Sequence, residues 1–528
     1  MGKSTTPDVP HPGLLDRLFG IDLRSVALLR MGLGGILLWD LVDRARFLEA
    51  HYTDSGLYPR EASVAQWSGG EYWERLWAFA SLHMASGDMA WQVFLFLCTA
   101  VCAFCLLVGY RARLFACLCW LLTISIQNRN PHILSGADQM IRHLLFWAMF
   151  LPLGGRFSVD GLCALCKAYQ QPVPTRALSL GTAGILLQTL LLYWFTAALK
   201  SAPEWRGEGT AIYYALSIEH YQTVPGRWML GMPLIFLKLA TWGAIALEAF
   251  GPIVAFLPFA VERLRLGVVA VFVFFHLVLI AGLMDVGPIS ETSVLMWIAF
   301  LPALFWEKLA ALWRRLPASR VKASMEAAYQ SIVAWRNGRI RQRVERREPL
   351  PELQATKLTQ AVAALSIVFI ALWNLRGMDA KRFGHYTDNL TWVANLVRLD
   401  QNWAMFAPFP FKQDGWFVLV ATLSEGSQVD LLQGGKPVRW EKPAPVASQY
   451  VNERERKYLM NLYEPSYESQ RGYFMHYKIR EWRRSHPQIT HRVVKIDFYY
   501  LLHRTPPPGS RPPEPRKLLL WSETYTKV

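Results

Sequence analysis

Charge is scarce in this 528-residue sequence: Asp, Glu, Lys and Arg supply only 18% of it, against about 25% in an ordinary soluble domain. Hydrophobic residues supply 52%, and the mean hydropathy is +0.16. The average conceals a split, because residues 1–306 are far more apolar than those that follow. One ordinary soluble core is excluded by this length and composition. Cysteine is confined as well: all seven lie between Cys98 and Cys166, so no disulfide can staple the C-terminal region. Cys98, Cys102 and Cys105 fall on one helix face, as small apolar residues of a bundle do. Cys163 and Cys166 form a C-x-x-C pair with no second pair and no nearby histidine, which favours a structural role over redox or metal chemistry. The first residues, MGKSTTPDVPHPG, lack the apolar core of a cleaved leader, so membrane insertion is expected to rely on the first span. No nucleic-acid motif accompanies the net charge of +16. Its largest cluster lies between two apolar segments, as in basic loops that flank a membrane. Repeated halves are also missing, which argues against a transporter with a midplane site.

What is present is a series of apolar runs. A spanning helix needs about 20 mostly apolar residues, and nine candidates follow one another: 23–41, 89–108, 114–126, 140–153, 180–199, 230–257, 266–284, 293–305 and 358–375. Lys and Arg gather in alternate loops, at Arg111 and Arg113, at Arg156, Lys167 and Arg176, at Arg263 and Arg265, and in the stretch RNGRIRQRVERRE. The turn MDVGPISE on the other side has neither. This bias predicts a cytoplasmic N-terminus and an outer C-terminus, periplasmic if the protein sits in a bacterial inner membrane. The expected layout is an eight-span bundle over 1–306, a basic cytoplasmic loop over 307–357, a ninth span over 358–375 and a water-facing domain over 376–528. Within the loop, 323–347 reads as an amphipathic helix, either lying on the anionic inner leaflet or solvated as a linker. The last domain reads as α+β or mostly β, with strands at 416–423, 493–502 and 517–521 and helices at 450–463 and 472–485.

Ionisable residues inside spans are costly unless they face a partner or water. Arg30 and Asp40 in the first span read as structural charges paired with other helices. Glu248, beside Gly251-Pro252, reads the same way. His276 lies in the apolar run FFHLVLIAG, and a lone buried histidine is more often structural than functional. Lys200 ends the fifth candidate span at its outer boundary, where a lysine can snorkel. The Ser-Ala-Pro-Glu-Trp that follows suggests an ordered segment instead, and a lysine in a partly dry pocket can act as a base. No metal site is indicated.

The spacing of Gln188, Tyr193, Ala197, Lys200 and Trp205 resembles the vitamin K-dependent gamma-glutamyl carboxylase. The chain is similar to bacterial members of the wider horizontally transferred transmembrane (HTTM) family. Arg30 and Asp40 ten residues apart, SVDG at 158–161, Phe275-His276, and DQNWAMFAPFP at 400–410 followed by DGWF add to the resemblance. It implies an enzyme acting on a membrane quinone, with a vitamin K hydroquinone-like reduced quinone as cofactor. Lys200 would be the base that deprotonates the hydroquinone, and oxygen addition would lead to an epoxide, with or without carboxylation of a glutamate in a secreted peptide. Gln188, Tyr193, His276 and Trp205 would bind the quinone. The family's functional histidine near the start of the fourth span falls here at Asp138, with His143 deeper. Asp138 is therefore expected either at the catalytic mouth, opposing an incoming glutamate, or paired with Arg142 one turn on. The alternative for the whole chain is a non-catalytic HTTM protein that assists maturation or export of a secreted peptide.

Overall fold

A computed structural model of the protein describes residues 13–67, 80–165, 175–315, 356–386, 390–488 and 490–525, with scattered positions between 323 and 334. Helices dominate the first part: α1 (Leu23–Ala45), α2 (Met89–Val108), α3 (Ala112–Arg129), α4 (Gly136–Ala148), α5 (Leu180–Leu199) and α6 (Leu234–Val254). α7 (Val261–Leu283), α8 (Ile289–Ile298), α9 (Ala303–Arg315) and α10 (Lys357–Met378) complete the bundle. Local chemistry sets the ends. Asp22 caps α1 by accepting from the Arg24 amide. Gly109, at φ 72°, closes α2 in the left-handed region, where a side chain would be strained. Ser179 and Thr182 form a reciprocal cap at the start of α5.

Among the described residues six helices are long and apolar enough to cross a membrane: α1, α2, α5, α6, α7 and α10. They make the chain a multi-pass membrane protein. The other three expected spans are helices of a different kind. α3 has 18 residues but ends in the buried polar run Gln127-Asn128-Arg129. α4 has 13 residues, nearly all buried, and at 1.5 Å per residue it reaches about 20 Å, short of the roughly 30 Å hydrocarbon layer. α8 has 10 residues and bends by 99° into α9. The amphipathic stretch expected over 323–347 and Cys166 of the C-x-x-C pair lie essentially outside the described residues.

The C-terminal part is the α+β unit expected. β1 (Gln413–Leu423), β2 (Gln428–Asp430) and β3 (Lys436–Pro437) precede α11 (Glu453–Tyr463) and α12 (Glu468–Ser485), and β4 (Val493–Arg504) and β5 (Arg516–Thr524) follow. The sheet is antiparallel in the order β3-β2-β1-β4-β5, with Phe417 opposite Tyr500 and Leu419 opposite Phe498. Phe417, Leu419 and Phe498 on one face pack against Tyr458 and Leu459 of α11 and Phe474 and Met475 of α12. That core continues without a break into Leu41, Tyr52 and Phe96 at the ends of α1 and α2 and the loop after α1. The domain is therefore fused to one end of the bundle, and the segment before β1 dips in far enough to bury Trp403 in the bundle core.

Candidate functional site

Lys200 occupies the C-cap of α5. Pro203 opens a short helix, Pro203–Arg206, which turns the chain back over the helix end. Arg206 donates to the carbonyls of Ala198 and Lys200, each at 3.0 Å, and so serves carbonyls that have no helical partner. The same turn puts the Trp205 ring 4.8 Å from Lys200 Nζ, and the indole N–H donates to the Phe406 carbonyl at 2.8 Å. Lys200 is 5% exposed and does not snorkel. Its Nζ lies 2.6 and 2.5 Å from the two carboxylate oxygens of Glu248 on α6. Burying either charge alone would cost several kcal/mol, and each relieves the other. Glu248 is thus the partner of the proposed base. The sequence hinted at this only in that a carboxylate inside one span needs a cation on a neighbour.

Tyr193 lies two turns before Lys200 on the same helix face. Its hydroxyl is 2.6 Å from His276 Nε2 and accepts from Trp297 Nε1 at 2.9 Å. An indole N–H can only donate, and the tautomer in which the Tyr193 proton goes to His276 Nε2 puts the ring's own hydrogen on Nδ1. That Nδ1 is buried and has no partner in the protein. His276 opens with Phe275 the π-helical segment Phe275–Ile280 of α7, a distortion common at functional sites because it re-aims side chains.

Lys200, Glu248, Tyr193, His276 and Trp205 all line one cavity of about 660 Å³, within the size range of small-molecule sites. Its walls are mainly apolar, with Leu192, Leu247, Phe275 and Ile280 from the bundle. The C-terminal part closes it with Phe406, Phe411, Glu453 and Lys457. Glu453 and Lys457 went unnoticed in the sequence, where they read as the polar face of an ordinary helix.

Other expected site residues lie elsewhere. Gln188 does not line the cavity. It accepts from the Trp147 indole at 3.4 Å and donates to Gln401 at 2.9 Å, and Gln401 also accepts from Trp403 at 2.8 Å. It is a strut that anchors the segment before β1. Asp138 requires a correction on both expected counts. It neither lines the cavity nor pairs with Arg142, whose guanidinium goes to Asp400 at 3.2 Å. Asp138 instead caps α4 through Ser135 and forms buried ion pairs with Arg44 and with Arg454 of α11. Asp40 joins the same cluster, accepting from Arg44 at 2.7 Å and from Arg454. Arg30 takes no carboxylate. It donates to the Leu106, Leu107 and Phe157 carbonyls at 2.6–2.9 Å and so neutralises the negative end of α2. No group of three or more His, Cys, Asp or Glu able to hold a metal occurs among the described residues.

Six apolar spans, with a polar-ended cavity between them and the fused C-terminal domain, define a multi-pass membrane protein with a candidate ligand site. No protein-family model matches the sequence, and neither a curated protein nor a solved structure does.

Proposed function

We propose that this is an integral membrane enzyme acting on a reduced membrane quinone, of the gamma-carboxylase-like kind that the sequence resembles. The observation that carries the reading is the buried Lys200–Glu248 pair facing the same apolar cavity as the unpartnered His276 Nδ1. A hydroquinone fits this chemistry: its rings suit the apolar walls, and its oxygens suit one hydrogen-bond donor and one proton acceptor. Bound there, the hydroquinone would supply four electrons to O₂, so that hydroquinone and O₂ become quinone epoxide and water. Transfer of one proton from Lys200 Nζ to Glu248 leaves an amine that can take up a hydroxyl proton. His276 Nδ1–H would donate to the oxygen that is losing its proton. Phe406 and Phe411 add apolar wall to the same cavity from the C-terminal side. Turnover of a naphthohydroquinone by purified protein, followed together with oxygen uptake, tests the reading. Incorporation of labelled bicarbonate into a glutamate-containing secreted peptide would extend it to carboxylation.

Tyr193→Phe removes the hydroxyl that satisfies both Trp297 and His276 Nε2. It is expected to lower turnover about 10–100-fold while costing about 1–3 kcal/mol of stability. Steady-state rates and thermal unfolding on the same preparation check this, and a wild-type rate would remove His276 from the site.

The reading includes an orientation. Its ground is the gathering of Lys and Arg in alternate loops, which puts the N-terminus in the cytoplasm and the C-terminal domain on the outer face of a bacterial inner membrane. Cysteines introduced at Ser331 and Ser466 should respond oppositely to an impermeant reagent in intact cells, only the second being labelled. Labelling at Ser331 alone would invert the topology.

A further inference from the structure

Glu453 has an unusual position. It is the first residue of α11, following the Asn452 cap, and it lines the cavity that holds Lys200 and Glu248. It also lines a second cavity of about 490 Å³ next door, with Asp40, Asp43, Asp285 and Glu291. The Asp285 side chain is 61% exposed, so this second space is a water-facing vestibule. Among the described residues, Met284, Val286 and Glu453 line both chambers, and of these only Glu453 can carry a proton. No hydrogen bond or ion pair of the described residues engages its carboxylate. Gly287, at φ 69°, makes room for it: a Cβ there would lie 2.0 Å from Glu453 Oε2. A partly buried carboxyl left without a partner at the junction of two polar-ended chambers is poorly explained as a structural residue.

We propose that Glu453 is the proton exit of the cavity, receiving through water the proton that the Lys200–Glu248 pair removes from substrate and releasing it into the acidic vestibule. This rests on the quinol reading above. The balance is simple: one O–H bond of the substrate breaks, Glu453 gains and then loses the same proton, and no electron passes through it. Groups facing Glu453 tune it for both halves of that cycle. Loss of hydration, opposed by Arg454 and Arg456 and reinforced by Asp138 and Asp285, pushes its carboxyl up to about 7. Lys457, one turn on and facing the cavity, has its ammonium form disfavoured by burial, which weakens the ion pair it could otherwise hold with Glu453. A carboxyl with these neighbours exchanges a proton near neutral pH.

The test uses the full-length protein in lipid and has two arms. Infrared difference spectra across pH 6 to 8 should show the carbonyl band of a neutral carboxylic acid disappearing with a midpoint near 7, and Glu453→Gln should lack that band. Because the folded-state pKa is raised, wild type loses stability as pH rises from the ordinary glutamate range through 7, and Glu453→Gln should not. A higher melting temperature of Glu453→Gln at pH 8 but not at pH 5 therefore confirms that the variant folds and that the charge is the strained form. A band that is absent from wild type, or that survives in Glu453→Gln, overturns the proposal whatever the substrate is. In the second arm, hydroquinone turnover by Glu453→Gln should fall at least tenfold and lose the pH dependence near 7, with Glu453→Asp restoring part of both. Unchanged turnover and pH profile in Glu453→Gln would overturn the exit role. No turnover by wild type would instead defeat the quinol reading and leave the infrared arm to judge Glu453 itself.

Discussion

Lys200→Met is expected to reduce hydroquinone turnover by about 10²–10⁴-fold, the usual contribution of a positioned acid–base group. The same change leaves Glu248 buried without its cation. Breaking a buried pair from one side costs about 3–5 kcal/mol, although protonation of the orphaned carboxylate recovers part of that. Loss of activity alone would therefore not separate catalysis from folding. The double variant Lys200→Met with Glu248→Gln makes the separation, since it removes both charges together and should regain most of the lost melting temperature without regaining activity. If the double variant is as active as wild type, the cavity is not catalytic. Absence of turnover in folded wild type would instead favour the reading of a non-catalytic membrane protein assisting a secreted peptide.

Arg454→Met should produce the largest stability loss of any single change outside the cavity. Arg454 is buried and reaches from α11 to Asp40 and Asp138 in the bundle, and it also donates to the Ile133 carbonyl at 3.1 Å. Its removal leaves the buried Asp138 and the half-buried Asp40 to share Arg44 alone, a cost of about 3 kcal/mol. The C-terminal domain should then loosen from the bundle, with a lower melting temperature and faster proteolysis at the segment before β1. Asp138→Asn should act in the same direction and less strongly, because Asp40 still holds both arginines. A melting temperature within a degree of wild type for Arg454→Met would show that the cluster does not join the two parts.

Composition and run length were enough to place six spanning helices, because the bilayer imposes one length and one polarity on every span. The strands of the C-terminal domain were legible for a similar reason: 416–423 and 493–502 are dense in β-branched and aromatic residues, and the structure extends each by only a few positions. The same run-length argument gave span length to α4 and α8, because a short helix buried on all sides is as apolar as one that faces lipid. Lys200 was found from its place at a span end followed by an ordered turn. Its partner was not, since Glu248 lies 48 residues away and nothing local links the two. Asp138 was misplaced for the same reason. The local rule pointed to Arg142 one turn on, whereas its partner Arg454 lies 316 residues distant. Gln188 shows the limit of a matched spacing, because it shares the motif of Lys200 yet faces the amide strut. Glu453 carried no signal at all, for its role depends on two cavities that exist only once α11 is docked.

Oxygen consumption by the purified protein in lipid, supplied with a reduced naphthoquinone, tests the account most directly. The account predicts O₂ uptake in a one-to-one ratio with hydroquinone loss, the mass of the quinone epoxide appearing as product, and loss of both in Lys200→Met. Folded wild-type protein that leaves the hydroquinone oxidising no faster than it does without protein would contradict it.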